Sequence, residues 1–182
     1  MPDIVHVTYA HTGQSSKINT LGMREMQQKA YQIRDAQYIL LKAPPASGKS
    51  RALMFIALDK LVNQGIKKVI VAVPEKSIGG SFTSTNLKDY GFYANWNPND
   101  LYNLCTPGMD NSKSKVQASK NFLDNDEKIL ICTHATLRFA CEEVDESKFN
   151  DTLLAIDEFH HVSADGDSRL GELLRSIMQK SN

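Results

Sequence analysis

"YILLKAPPASGKSRALMFIALDKLV", residues 38–62, decides the fold. A short apolar run ends at Lys42 and a pair of prolines. A turn of small residues follows. From residue 49 the chain has helical character, until Asn63-Gln64-Gly65 stops it. Strand, tight turn and helix form the context in which the pattern G-x-x-x-x-G-K-[ST] holds phosphate. Here Ala43 stands where the first glycine of that pattern belongs. Backbone N–H groups of residues 46–50 can wrap phosphates, and the helix N-terminus favours their negative charge. Gly48 lets the backbone approach closely, Lys49 would reach the β- and γ-phosphates, and Ser50 would hold Mg²⁺. The bland alternative is a chance Gly-Lys-Ser in a loop; the flanking strand and helix weigh against it.

Working outward, the apolar runs at residues 67–74, 128–134 and 151–158 are short, continuous and rich in Ile, Val and Leu. They read as buried strands. Residues 4–9, "IVHVTY", read as a further short strand. Helical spacing marks residues 22–34, 112–123, 135–144 and 166–180, and residues 76–91 are helical in part, weakened by Gly79 and Gly80. Residues 91–111 are rich in Asn, Pro and aromatics and read as irregular; Phe92, Tyr93 and Trp96 there are expected in local core rather than as a base-stacking platform. Alternating helices and buried strands predict an α/β fold, a mostly parallel sheet with helices on both faces. Ligands of such folds bind at the carboxyl ends of the strands.

The 182 residues suit one α/β domain with a sizeable core. Twenty-one basic and twenty-one acidic side chains cancel, so bulk charge gives no nucleic-acid signature. It excludes none either, because backbone N–H groups also hold phosphates. Cys105, Cys132 and Cys141 are odd in number and lack C-x-x-C spacing, which argues against a disulfide framework or structural zinc and for a reducing cytoplasm. Residues 1–20 carry no basic segment followed by an apolar run, and no apolar run approaches the roughly 20 residues that span a bilayer.

A second strand end draws notice in "LLAIDEFHH", residues 153–161. Asp157 would bind Mg²⁺, and Glu158 would orient or deprotonate an attacking water. Read alone, two adjacent acids could equally be a helix N-cap and its neighbour. Paired with the phosphate loop, they read as the other half of a nucleotide-hydrolysing site. His160 reads as a polar loop histidine, and its spacing to His161, Asp165 and Asp167 matches no common metal site.

"DEFH" after an apolar strand resembles the D-E-x-H motif of superfamily 2 helicases and translocases. "APPASGKS" is similar to their phosphate loop, in which Ala commonly takes the first Gly position. "MREMQQKA", residues 23–30, resembles the L-R-x-Y-Q-x-x-A segment of the restriction-enzyme motor and DEAH-like branch, with Met26 where an aromatic is common. The resemblance implies a RecA-like P-loop NTPase domain over residues 21–182, preceded by a strand and loop at 1–20. It implies an ATP-binding set of Arg24, Gln27, Ala46, Ser47, Gly48, Lys49, Ser50 and Arg51, with Gln27 reading adenine. Lys49, Asp157, Glu158 and His160 would be catalytic, and Ser50 and Asp157 would hold Mg²⁺. "VAVPEKS" at 71–77 and "ICTHATL" at 131–137 look like the family's nucleic-acid-backbone contacts, which fall on Lys76, Ser77, Thr133 and His134. Read without the resemblance, both are strand-to-helix turns with polar caps.

Up to Asn182 no S-A-T type motif follows the last expected helix, and the resemblance implies that this motif and a second RecA-like domain lie further along the natural chain. The expectation is therefore the first half of a motor. Its partners would be DNA, with RNA left open, a second RecA-like domain that is normally in the same chain, and restriction-modification subunits, with no membrane. By itself this half would hydrolyse ATP slowly, because an arginine supplied from elsewhere is worth roughly 10³–10⁵ in kcat. One rival is a transporter-type ATPase. It needs an L-S-G-G-Q-like signature shortly before the Asp-Glu strand, whereas Gly79-Gly80 lies far upstream. Another is a regulatory nucleotide-binding module that lost activity, against which every first-half catalytic residue is present.

Overall fold

Each strand ladder in the computed structural model is parallel. The structure describes residues 3–6, 18–106, 112–159, 171, 172, 174 and 175. The chain divides into two units: Met1–Gly65 with Ser84–Asn97, and Ile66–Thr83 with Pro98–Asn182.

In the first unit, strand β1 (Asp3–His6) pairs with β2 (Ile39–Lys42), with Asp3 opposite Ile39 and His6 opposite Lys42. Helix α1 (Glu25–Gln32) buries Met26, Gln27 and Ala30, spaced as one helical face requires. Helix α2 (Lys49–Asn63) is buried along most of its length. Met26, Ala30, Ala52 and Ile56 form the core between the two helices, and Ile39 and Leu41 of β2 pack against it.

One consequence of that burial is that the polar residues of α2 must find partners inside. Asp59 accepts hydrogen bonds from Tyr31 Oη, Tyr93 Oη and Asn63 Nδ2, each at 2.8 Å, and from Gln64 Nε2 at 2.7 Å. The first three bonds go to Oδ1, and Arg34 Nε stands 3.1 Å from Oδ2, the oxygen that Gln64 also bonds. Burial pushes the Asp59 carboxyl up, but the bonds from Gln64, Asn63, Tyr93 and Tyr31 outweigh it and hold the group down at about 2. Lys60, beside it, donates to the carbonyl of Ala36 at 3.1 Å.

The Asn-rich stretch supplies core, as expected for two of its three aromatics. Trp96 is fully buried and exchanges backbone hydrogen bonds with Thr85. Phe92 meets Phe55 edge-on, with ring centroids 4.8 Å apart. Tyr93 stays 41% exposed, with its ring tilted over Phe92. Gly91 sits at φ 97, and a Cβ there would stand 2.1 Å from the carbonyl oxygen of Thr20. No other residue fits that turn.

The second unit is built on a three-stranded sheet in the order β4-β3-β5. The central strand β3 (Lys68–Val73) is buried from Val69 onward. It pairs with β4 (Ile129–Thr133) and β5 (Thr152–Ile156). Between β3 and β4 run a one-turn helix α3 (Lys76–Gly79), short 3₁₀ turns and helix α4 (Ser112–Asp124); helix α5 (His134–Glu143) follows β4. Ile70, Ala72, Leu104, Phe122, Leu130, Cys132 and Leu137 make the core. Lys68, at the start of β3, donates to the carbonyls of Phe122, Asn125 and Glu127 and so caps the end of α4.

The strands and helices lie within a few residues of their expected places. Residues 7–9 of the first expected strand lie outside the described residues, as does most of the expected helix at 166–180; residues 171, 172, 174 and 175 are helical. Residues 76–90 are helical in part, as expected, with one short helix and two 3₁₀ turns. Gly79 explains the packing there, because a Cβ on it would overlap Cys105 Cβ at 2.3 Å. No helix among the described residues is long and apolar enough to cross a membrane.

Candidate functional site

The phosphate loop connects β2 to α2 within the first unit. Ser47 N–H donates to the carbonyl of Pro44 at 3.3 Å, closing a tight turn. Ala46 has φ 59 and Gly48 has φ 87, so two left-handed residues flank Ser47. The left-handed region costs a non-glycine residue about 1–2 kcal/mol. Alternating turns of this kind build concave sites for anions. Lys49 Nζ rests on the carbonyl of Ala43 at 3.3 Å. The Ala in the first Gly position thus supplies the acceptor on which the lysine is held. Ser47 Oγ is buried and has no hydrogen-bond partner among the described residues. An orphaned buried hydroxyl in a loop of this shape fits a ligand that brings acceptors.

Gln27 closes on this loop from α1. It is 2% exposed. Its Oε1 accepts the backbone N–H of Arg24 at 2.8 Å, and its Nε2 donates to the carbonyl of Gly48 at 3.2 Å. One end caps the first turn of α1, and the other joins that helix to the phosphate loop. Arg24 is exposed at the helix start. Arg51 lies over the ring of Tyr90, 5.5 Å from its centroid.

In the second unit the acid pair follows β5. Asp157 N–H donates to the carbonyl of Ala72, in β3, at 2.9 Å. Asp157 Oδ1 accepts the N–H of Glu158 at 3.1 Å. Glu158 has φ 50. A non-glycine residue there is strained, and such strain gathers at working sites. His134 Nε2 lies 2.9 Å from the carbonyl oxygen of Asp157. Pro74, Glu75, Ile78, His134 and Glu158 line one cleft of about 500 Å³. Lys76 and Ser77 are exposed in α3, whose first residue follows Glu75. Thr133 caps α5, its Oγ1 accepting the N–H of Thr136 at 3.3 Å.

Within each unit, then, expected site residues come together. Gln27, Gly48 and Lys49 share the loop of the first. His134 and Glu158 share the cleft of the second, beside the segment that carries Lys76 and Ser77. His160 lies outside the described residues. Glu75 and Ile78 were missed as cleft residues. Glu75 occupies the capping position just before a helix that follows a strand end, and that placement was its available signal.

Ser50 and Asp157 carry hard oxygen donors of the kind Mg²⁺ prefers. The described residues hold no group of three or more His, Cys, Asp or Glu that could form a protein cage. Burial pushes the Cys132 and Cys141 thiols up, Cys141 to about 12, which leaves them unsuited to nucleophilic chemistry.

The family model described as DEAD/DEAH box helicase matches residues 24–182. YeeB of Bacillus subtilis (strain 168), a protein named as a candidate ATP-dependent helicase, is 60% identical over 182 residues. That match covers 100% of this chain and 30% of YeeB, so the chain spans under a third of this relative's length. No solved structure matches.

Proposed function

The chain belongs to the DEAD/DEAH box helicase family and forms its first RecA-like domain, and from that premise we propose that it is the ATP-hydrolysing half of a DNA motor. The observation that carries the reading is a shared placement. The phosphate loop and the Asp157–Glu158 turn each stand at the carboxyl end of a parallel strand, and each holds a strained left-handed residue.

In this reading Lys49 exchanges the carbonyl of Ala43 for a phosphate oxygen, and Ser47 Oγ gains its partner. The backbone of residues 46–50 and the start of α2 hold the remaining phosphate charge. Gln27 reads adenine with the hydrogen-bonding capacity it has left; its amide has a second N–H and its carbonyl a second lone pair. Ser50 and Asp157 would hold Mg²⁺, which neutralises phosphate charge when bound. Glu158 orients and deprotonates the attacking water. An arginine from a second RecA-like domain completes the site, so this half alone turns over slowly. Lys76, Ser77 and Thr133 would bear on the nucleic-acid backbone, which carries no sequence information and suits stepping. Arg24 and Gln27 favour a motor of the restriction-enzyme type, and three cysteines without C-x-x-C spacing favour the cytoplasm.

The test is the ATPase rate of the intact protein, alone and with single-stranded DNA, duplex DNA or RNA, beside Lys49→Ala. Stimulation by one of them, lost in the variant, is the expected result. Turnover indifferent to all three would leave an NTPase whose partner is not a nucleic acid.

A further inference from the structure

We propose that His134 is a positioning residue for the Asp157–Glu158 turn; this rests on reading those acids as part of the ATP site. The sheet order β4-β3-β5 keeps β4 and β5 from being neighbours. Two strand spacings, roughly 10 Å, separate their ends. His134, the first residue of α5 after β4, nonetheless reaches the carbonyl of Asp157, after β5, with its ring nitrogen at 2.9 Å. A carbonyl oxygen only accepts, so the ring nitrogen Nε2 carries the proton and donates it.

The consequence lies in the peptide plane. The Asp157 carbonyl and the Glu158 N–H belong to one rigid unit. That unit is held at its oxygen by His134, and at its nitrogen by Asp157 Oδ1. The preceding N–H, that of Asp157, is held by Ala72 of β3. The plane, together with the φ of 50 at residue 158, sets the direction in which the Glu158 side chain leaves the backbone. Glu158 sits at φ 50, a conformation that persists only when its surroundings over-determine it. Thr133 fixes the other end of the device, because its Oγ1 caps α5 and so sets where residue 134 begins. His134 and Glu158 also line the same cleft, with Pro74, Glu75 and Ile78.

Activity is measured on the intact protein, with and without poly(dT), for His134→Ala, His134→Gln and Glu158→Gln. Loss of a group that orients a reacting one costs roughly 10- to 100-fold. His134→Ala is expected to lower kcat by that factor. KM for ATP and Kd for poly(dT) should stay within about threefold, the split that marks a transition-state effect. The glutamine amide nitrogen extends about as far as Nε2, so His134→Gln should recover much of the rate. A raised Kd for poly(dT) at unchanged kcat would overturn the proposal and make His134 a nucleic-acid contact. A loss that glutamine does not recover, with a fall in melting temperature and in ATP affinity, would overturn it in favour of a purely structural role. Glu158→Gln separates the two levels. If that variant keeps its rate, the acid reading itself fails; if it is inactive while His134→Ala is normal, only the positioning role fails.

Discussion

Gln27 Nε2 donates to the carbonyl of Gly48 at 3.2 Å, and a Cβ placed on Gly48 would stand 2.5 Å from that same nitrogen. The contact that joins α1 to the phosphate loop would therefore have to give way to any side chain at position 48. Gly48→Ala is expected to cost about 1–2 kcal/mol for the left-handed backbone alone. Displacing Gln27, which is also held by Arg24, adds to that. Gln27→Ala removes the obstruction, so the double variant should lose about 1 kcal/mol less than the two singles summed. Chemical denaturation of all four proteins checks this; strict additivity would mean the two residues do not meet. ATP affinity should fall in both singles.

Glu158 offers a test of strain against chemistry. Glycine at its φ of 50 relieves about 1–2 kcal/mol of backbone cost and forfeits about 0.5–1 kcal/mol of chain entropy. Glu158→Gly should thus be slightly more stable than the parent while its ATPase is abolished. A destabilised Glu158→Gly protein would show that the turn is not strained.

Asp59 sets an acid limit on the first unit. Its carboxyl falls from 3.8 to about 2 on folding. The folded value is the lower, so the stabilisation is complete above about pH 4 and is lost as pH falls from there through about 2. The shift is worth about 2 kcal/mol. Asp59→Asn should reduce stability at neutral pH, where it leaves Arg34 without its charge partner, and should flatten the loss of stability below pH 4. Urea unfolding midpoints across pH 2–7 read both effects. An identical acid limb in the variant would assign it to other carboxylates.

Lys68 joins a strand start to a helix end through three carbonyls. Lys68→Met keeps the stem and removes the charge. It should cost about 2–3 kcal/mol, because carbonyls near the C-terminus of α4 lose a cationic donor. The unfolding midpoint checks it, and a change below about 0.5 kcal/mol would mean that water replaces the ammonium at no loss.

The sequence made the strands legible because their apolar runs are continuous and each stops at a Pro, an acid pair or a capped helix. It made the phosphate loop legible because glycine, lysine and serine stand between a strand and a helix. The αL conformations of Ala46 and Glu158 could not be read, because neither residue type announces a positive φ. The Asp59 cluster was hidden for another reason. Tyr31, Asp59 and Tyr93 are far apart in sequence, and no local period relates them. The cleft role of Glu75 was hidden because an acid after a proline reads first as a helix cap.

Neither unit is a continuous stretch of chain. The first takes Phe92, Tyr93 and Trp96 from residues 84–97, beyond the excursion of 66–83 into the second. A fragment cut at Gly65 would contain the whole phosphate loop and lack part of the core that supports it. Phe55 and Tyr31 would lose the ring that covers them, and Asp59 would lose one of its hydroxyls. Any minimal nucleotide-binding piece must extend past Asn97, and a protease nicking between 66 and 83 would leave the first unit's pieces held together only by their packing.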